Sequence, residues 1–210
     1  MDLNAFLRDV PDFPKPGILF KDITPLLADP RAMKETIAQF AKLDFGPVHR
    51  VAAIESRGFL FGVPLAMQLG VGFVPVRKPG KLPWKTNRVE YMLEYGTDAV
   101  EIHQDAIRPG ERVLIVDDLL ATGGTLGAAC QLVQACGGVV AGCAVVVELC
   151  FLPGRKRLQG HRVEALIRVG AGSRPASSPR LRTSGVAGRR VRVPMWNFLH
   201  AQVAIEKTFG

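Results

Sequence analysis

Val113-Leu114-Ile115-Val116-Asp117-Asp118-Leu119-Leu120-Ala121-Thr122-Gly123-Gly124-Thr125 is the stretch that decides how this chain folds. The apolar residues Val113 to Val116 read as a strand buried on both faces, the habit of a central strand in a parallel sheet. Two carboxylates follow where that strand is expected to end. A Thr-Gly-Gly-Thr turn then opens a helical pattern that runs to Cys136. Free N–H groups at a helix start, the helix dipole and two hydroxyls together make an anion cradle. The glycines let the backbone approach phosphate oxygens with no Cβ in the way. Asp117 and Asp118 would repel that anion, so they are expected to face hydroxyls or a hydrated cation. One phosphate beside diol oxygens describes a ribose 5-phosphate. No Gly-Lys-Ser/Thr follows the glycines, which excludes a Walker loop, and the spacing and paired acids exclude a dinucleotide fingerprint.

Working outward, Val51 to Ile54, Phe73 to Val76 and the run from Val139 to Leu149 read as further short buried strands, and Arg162 to Arg168 as the last one. Helical patterns separate the earlier ones. Asp29-Pro30 is an N-cap followed by proline at the first helical position, and Met33, Ile37, Phe40 and Ala41 then share one face. Strand, helix, strand repeated in this way predicts an α/β fold, a central parallel sheet flanked by helices. Ligands of such sheets bind at the carboxyl ends of the strands. Leu3 to Val10 is expected to be a short helix stopped by Pro11. Pro11 to Gly17 holds three prolines and a glycine and reads as a rigid extended lead-in. Arg77 to Arg88 is expected to be a long loop, and Val89–Tyr95 with Ala99–Ile102 a strand pair turning at Gly96. The expected organisation is an N-terminal hood segment over 1–30, a core over 31–168 and a basic tail over 169–210, with one weak short helix at Met195 to Ile205.

The chain has 210 residues, 48% hydrophobic and 22% charged, a globular and not a disordered composition. No apolar run approaches the ~20 residues of a membrane span. Met1-Asp2-Leu3-Asn4 lacks the basic and apolar regions of a secretory signal, so a cytoplasmic protein is expected. The net charge of +8 invites a nucleic-acid reading. Its distribution argues otherwise. Residues 1–168 carry 20 basic and 18 acidic side chains, a net of +2, whereas 169–210 carry seven and one, a net of +6. Cys130, Cys136, Cys143 and Cys150 lack the spacing of a zinc site and are expected to be buried reduced thiols.

The central segment resembles the 5-phosphoribosyl 1-pyrophosphate (PRPP) motif of the type I phosphoribosyltransferase family. Over roughly residues 10 to 168, four further blocks resemble the adenine phosphoribosyltransferase branch of that family: Phe13 to Pro25, Glu55 to Gly62, Arg77 to Pro83 and Leu93 to Gly96. The resemblance implies the type I phosphoribosyltransferase fold, with a small N-terminal hood. It also implies a purine salvage reaction in which adenine and PRPP give AMP and pyrophosphate with Mg²⁺, in a homodimer, with no membrane and no nucleic acid as partner.

Residue by residue, the resemblance implies that Asp117 and Asp118 hold the ribose hydroxyls, directly or through the Mg²⁺ shell, and that Ala121, Thr122, Gly123, Gly124 and Thr125 wrap the 5-phosphate. Glu55, Ser56 and Arg57 match the pyrophosphate loop, where a non-proline cis peptide is expected between Glu55 and Ser56. Arg77, Lys78 and Lys81 add positive charge for the pyrophosphate. The segment from Lys81 to about Tyr91 is expected to be a lid, within which Trp84 to Asn87 departs from the family pattern. Glu94 matches a glutamate that exchanges a proton with the purine, which with Arg57 makes the catalytic pair, and Tyr95 is a lid contact. Leu19, Phe20 and Lys21 match the adenine-binding hood, with Phe20 on one purine face and Leu119 on the other. Two alternatives carry different substrates or partners. One is a relative acting on a 6-oxopurine. The other is a PRPP-sensing regulator that binds nucleic acid through its basic surface, for which no helix-turn-helix pattern precedes Phe13.

Overall fold

The apolar run at Val113 forms the middle strand of the main sheet. The computed structural model describes residues 1–13, 16, 19–92 and 97–170. Its elements are β1 (Arg8–Pro11), β2 (Leu19–Asp22), α1 (Thr24–Ala28), α2 (Pro30–Ala41), β3 (Arg50–Ile54), α3 (Gly58–Leu69), β4 (Gly72–Val76), β5 (Thr86–Met92), β6 (Thr97–His103), β7 (Arg112–Leu120), α4 (Gly124–Ala135), β8 (Val139–Leu149), α5 (Gly154–Arg157) and β9 (Val163–Val169). Five strands form one parallel sheet in the order β4-β3-β7-β8-β9. Two antiparallel pairs, β1–β2 and β5–β6, stand outside it.

Alternation along the strands sorts the core into two layers, because successive strand residues point to opposite faces. Val51 and Ala53 of β3, with Leu114 and Val116 of β7, face a layer built from Leu3, Leu7, Leu26, Phe40, Phe61 and Leu65. Ala52, Ile54, Val113 and Ile115 face the opposite layer, where α4 and the β5–β6 pair contribute Leu126, Leu132, Val100 and Ile102. Each such large side chain contributes about 2 kcal/mol by leaving water. Asp29 caps α2 as expected, its carboxylate accepting from the N–H groups of Arg31 and Ala32 at 2.8 and 3.1 Å, with Pro30 opening the helix.

The amino-terminal expectation needs correction. Only Leu3–Phe6 is helical, as a single 3-10 turn capped by Asp2. Arg8 to Pro11 is instead a strand, because Leu19 to Asp22, just past the proline-rich lead-in, pairs with it in antiparallel register. The loop after Arg77 is shorter than expected, since β5 begins at Thr86 to match His103. The last strand runs through the buried Val169, paired with Leu149. The cysteines are all free, but only Cys130 and Cys143 are buried; Cys136 is half-buried and Cys150 exposed. Among the described residues no helix is long and apolar enough to cross a membrane. The expected Met195–Ile205 helix lies outside the described residues.

Candidate active site

Asp117 and Asp118 are part of the central strand itself. β7 does not stop at Val116, because β8 continues to pair alongside it, Asp117 with Val145, Leu119 with Val147 and Leu120 with Glu148. The strand therefore delivers both carboxylates, buried, to the carboxyl edge of the sheet. The start of α3 closes on them from the side. A Cβ at Gly58 would come within 2.9 Å of Asp117 Oδ1 and 3.0 Å of the Val116 carbonyl oxygen, so only glycine allows this approach.

The turn between β3 and α3 brings in the second group of predicted residues. The Glu55–Ser56 peptide is cis, as the resemblance implied. Arg57 donates from Nε to Asp118 Oδ2. Burial disfavours its charge, but the carboxylates of Asp118 and Asp117 more than reverse this and hold its pKa above the ordinary arginine value. Arg77, just past β4, donates from Nε to Glu55 Oε2 at 2.7 Å and from Nη1 to the Lys81 carbonyl at 3.1 Å. The backbone of Arg77 is bridged to Glu101 of β6, and Gly80 N–H donates to the Glu101 carboxylate at 3.2 Å, which ties the segment after β4 to the hairpin. Ser56 and Lys81 are exposed at the surface of this cluster.

The loop after β7 has the conformation the glycines suggested. Ala121 is buried, and Gly123 caps α4 at φ +82°, a left-handed conformation that disfavours any side chain. A Cβ there would also lie 2.6 Å from the carbonyl oxygen of Gly154, while a Cβ at Gly154 would lie 2.3 Å from that of Ala121. The backbones of the loop Ala121–Thr125 and α5 are thus in direct contact. Thr122 and Gly124 are half-buried beside them, and Thr125 Oγ1 lies 3.2 Å from the Tyr91 hydroxyl.

Tyr91 and Asp98 were not singled out in the sequence. They are register partners across β5 and β6. Tyr91 Oη donates to Asp98 Oδ2 at 2.9 Å, and Lys78 Nζ is paired with that same carboxylate and lies 3.2 Å from the tyrosine oxygen. Burial raises the Tyr91 pKa, so the phenol stays protonated. One hydroxyl therefore links the Lys78 side of the site to the loop that opens α4. A sequence signal existed only in the register of the hairpin. The α5 contact left no sequence signal beyond a glycine after a proline.

In the hood, Phe20 is half-buried and packs edge-on against Phe13, ring centroids 5.2 Å apart. Leu19 is exposed, and Lys21 is ion-paired with Asp9 across the β1–β2 hairpin. Leu119, at the end of β7, is half-buried against the layer containing α2 and α3. These four residues stand on two separate elements, the hairpin and the sheet edge. Glu94 and Tyr95 lie outside the described residues.

A family model for the phosphoribosyl transferase domain matches residues 26–164. The adenine phosphoribosyltransferase of Acetivibrio thermocellus is 57% identical over 169 residues, spanning 80% of this chain and 99% of that protein. Among solved structures, the adenine phosphoribosyltransferase of Thermoanaerobacter pseudethanolicus is 55% identical with a TM-score of 0.77, covering 80% of this chain and 98% of that one. The Saccharomyces cerevisiae adenine phosphoribosyltransferase, solved with an imino-altritol bisphosphate and adenine, is 42% identical with a TM-score of 0.75, covering 78% and 96%. With a buried aspartate pair and a glycine-capped loop at the edge of a matching sheet, the chain belongs to the phosphoribosyltransferase family, in its adenine phosphoribosyltransferase branch.

Proposed function

We propose that this chain transfers the 5-phosphoribosyl group of PRPP to adenine, forming AMP and pyrophosphate. The observation that carries this is the joining, at one strand end, of the buried pair Asp117–Asp118 to the loop Ala121–Thr125 that opens α4. Adenine bound in the yeast relative supports the choice of base.

The bond between the ribose anomeric carbon and the pyrophosphate oxygen breaks, and its electron pair leaves with pyrophosphate. A ring nitrogen of adenine supplies the pair for the new bond and loses its proton, a transfer assigned to Glu94. Positive charge develops on the ribose between these events. Asp117 and Asp118, facing the ribose hydroxyls, orient the ring and offset that charge. Backbone N–H groups from Ala121 to Thr125 hold the 5-phosphate at the positive end of α4. The backbone of the Glu55–Ser56 turn, with Arg57, Arg77, Lys78 and Lys81, receives the pyrophosphate, and the Glu55 carboxylate orients Arg77. Leu19, Phe20 and Leu119 sandwich the base, and main-chain groups near Leu19 and Lys21 read its edge. Tyr95 closes with the lid, which excludes water from the oxocarbenium-like centre.

Mg²⁺ fits this donor set. Among the described residues no three His, Cys, Asp or Glu side chains gather into a metal cage. A pair of carboxylates is what Mg²⁺ needs when it keeps several waters and shares phosphate oxygens. Asp117 and Asp118 would hold it through water or the ribose hydroxyls, and the ion would neutralise charge on the departing pyrophosphate. A cytoplasmic homodimer completes the proposal. Leu60, Val63 and Met67 are 45%, 40% and 78% exposed at helical spacing on α3, an apolar stripe suited to a second copy.

The test is AMP formation from PRPP and Mg²⁺ with adenine, set against nucleotide formation with hypoxanthine and with guanine. Adenine should be preferred by at least about a hundredfold in kcat/KM, since unpaired polar groups in the wrong base are costly. Preference for an oxopurine would overturn the assignment.

A further inference from the structure

We infer that Arg157, outside every motif that marks this site, is a further ligand of the 5-phosphate. The inference rests on the proposed function and adds a residue to its substrate site. α5 is held rigidly against the phosphate loop. Arg155 grips the buried Glu148 through Nε and a terminal nitrogen, both at 2.7 Å, and donates to the Val163 carbonyl at 2.8 Å. The Gly154 backbone touches those of Ala121 and Gly123 at the distances given above. Two residues on from Arg155, the guanidinium of Arg157 reaches the first residue of α4. Its Nη1 lies 3.5 Å from where a Cβ on Gly124 would stand.

Its state of pairing sets Arg157 apart from the other arginines of the site and from Lys78. Arg57 is engaged by Asp118, Arg77 by Glu55 and Lys78 by Asp98. The Arg157 side chain is exposed and has no ion-pair or hydrogen-bond partner among the described residues. The loop Ala121–Thr125 has no cation of its own and follows two buried carboxylates. A phosphate dianion on the N–H groups at Gly124 thus meets one uncommitted guanidinium, whose fork of donors suits phosphate oxygens. α5 works as a bracket whose two arginines divide the labour, Arg155 anchoring and Arg157 binding.

Arg157→Gln and Arg157→Lys test this. Calorimetric titration with AMP and with adenosine separates phosphate recognition from recognition of the nucleoside, and steady-state kinetics give KM for PRPP and kcat. Arg157→Gln should weaken AMP binding and raise KM for PRPP about tenfold, as befits a charged hydrogen bond. Adenosine affinity and kcat should stay within about twofold, and Arg157→Lys should recover part of the AMP affinity by restoring the charge. AMP affinity within about twofold of the unaltered protein, or equal losses for AMP and adenosine, would overturn the assignment. Failure of the unaltered protein to bind AMP at all would instead remove the functional proposal on which it rests.

Discussion

The Arg57 guanidinium and the Asp118 carboxylate form an ion pair across 61 residues of sequence, joining the turn after β3 to the end of β7. Asp118 is buried and Arg57 half-buried, so the pair is poorly screened. Asp118→Asn keeps the shape and removes the charge. It should lower kcat/KM by on the order of 10²- to 10³-fold, and the double change with Asp117→Asn should remove most of what remains. Circular dichroism should show the fold retained. Activity near that of the unaltered protein would refute the ribose role of the pair.

Tyr91→Phe isolates the hydroxyl that joins Thr125, Asp98 and Lys78. Loss of one buried hydrogen-bonding group costs about 1 kcal/mol. The expected result is a rise of roughly fivefold in KM for PRPP, with melting temperature lowered by a few degrees. Unchanged kinetics with lowered stability would make this network architectural only.

Gly154→Ala tests the backbone contact between α5 and the loop Ala121–Thr125. Its methyl carbon would sit 2.3 Å from the Ala121 carbonyl oxygen and 2.7 Å from a Leu120 methyl, and the backbone atoms cannot give way without moving the loop. Overpacking of this kind costs about 1–3 kcal/mol. Urea unfolding should show a lower midpoint with an unchanged slope, accompanied by weaker PRPP binding. A midpoint equal to that of the unaltered protein would show that the contact relaxes freely.

Glu148 supplies a pH dependence. Hydrogen bonds from Arg155, and the charges of Arg155 and Arg168, hold its carboxyl below the usual glutamate value in spite of burial. A depressed folded-state pKa stabilises the protein above the unfolded value of about 4.3, and that contribution is lost as pH falls through the folded-state value. Glu148→Gln should cost about 1–3 kcal/mol near neutrality, the lower end being favoured because both arginines are partly exposed. Melting temperatures measured between pH ~3 and ~8 should show the gap from the unaltered protein narrowing towards the acid end. A gap constant with pH would rule out the ionised carboxylate as its source.

The parallel sheet, the glycine turn before α4 and the start of α2 were legible because each depends on local grammar: a Val and Ile run for β7, glycines for the turn, Asp29-Pro30 for α2. Where a partner distant in sequence decides the conformation, the sequence was silent. Arg8 to Pro11 became a strand only because Leu19 to Asp22 lies beside it. Asp117 and Asp118 lie within the strand only because β8 runs on past them. The same holds in the site. Arg57 and the two aspartates were marked by their motifs, whereas Tyr91 and Asp98 acquire meaning only through the hairpin register. The global charge was the poorest guide, since most of it lies beyond residue 168.

The two-layered core has a consequence for how the protein opens. Alternate residues of β3 and β7 belong to separate hydrophobic layers, and the site draws on both: Arg57 leads into α3 on one side, Thr125 into α4 on the other. A substrate touching both residues would act as a rivet through the sheet. Because a ligand stabilises every form that can bind it and none that cannot, either layer would have to release the substrate before it could breathe. Amide hydrogens on both faces of the sheet would then exchange more slowly together, although the two layers are separate clusters.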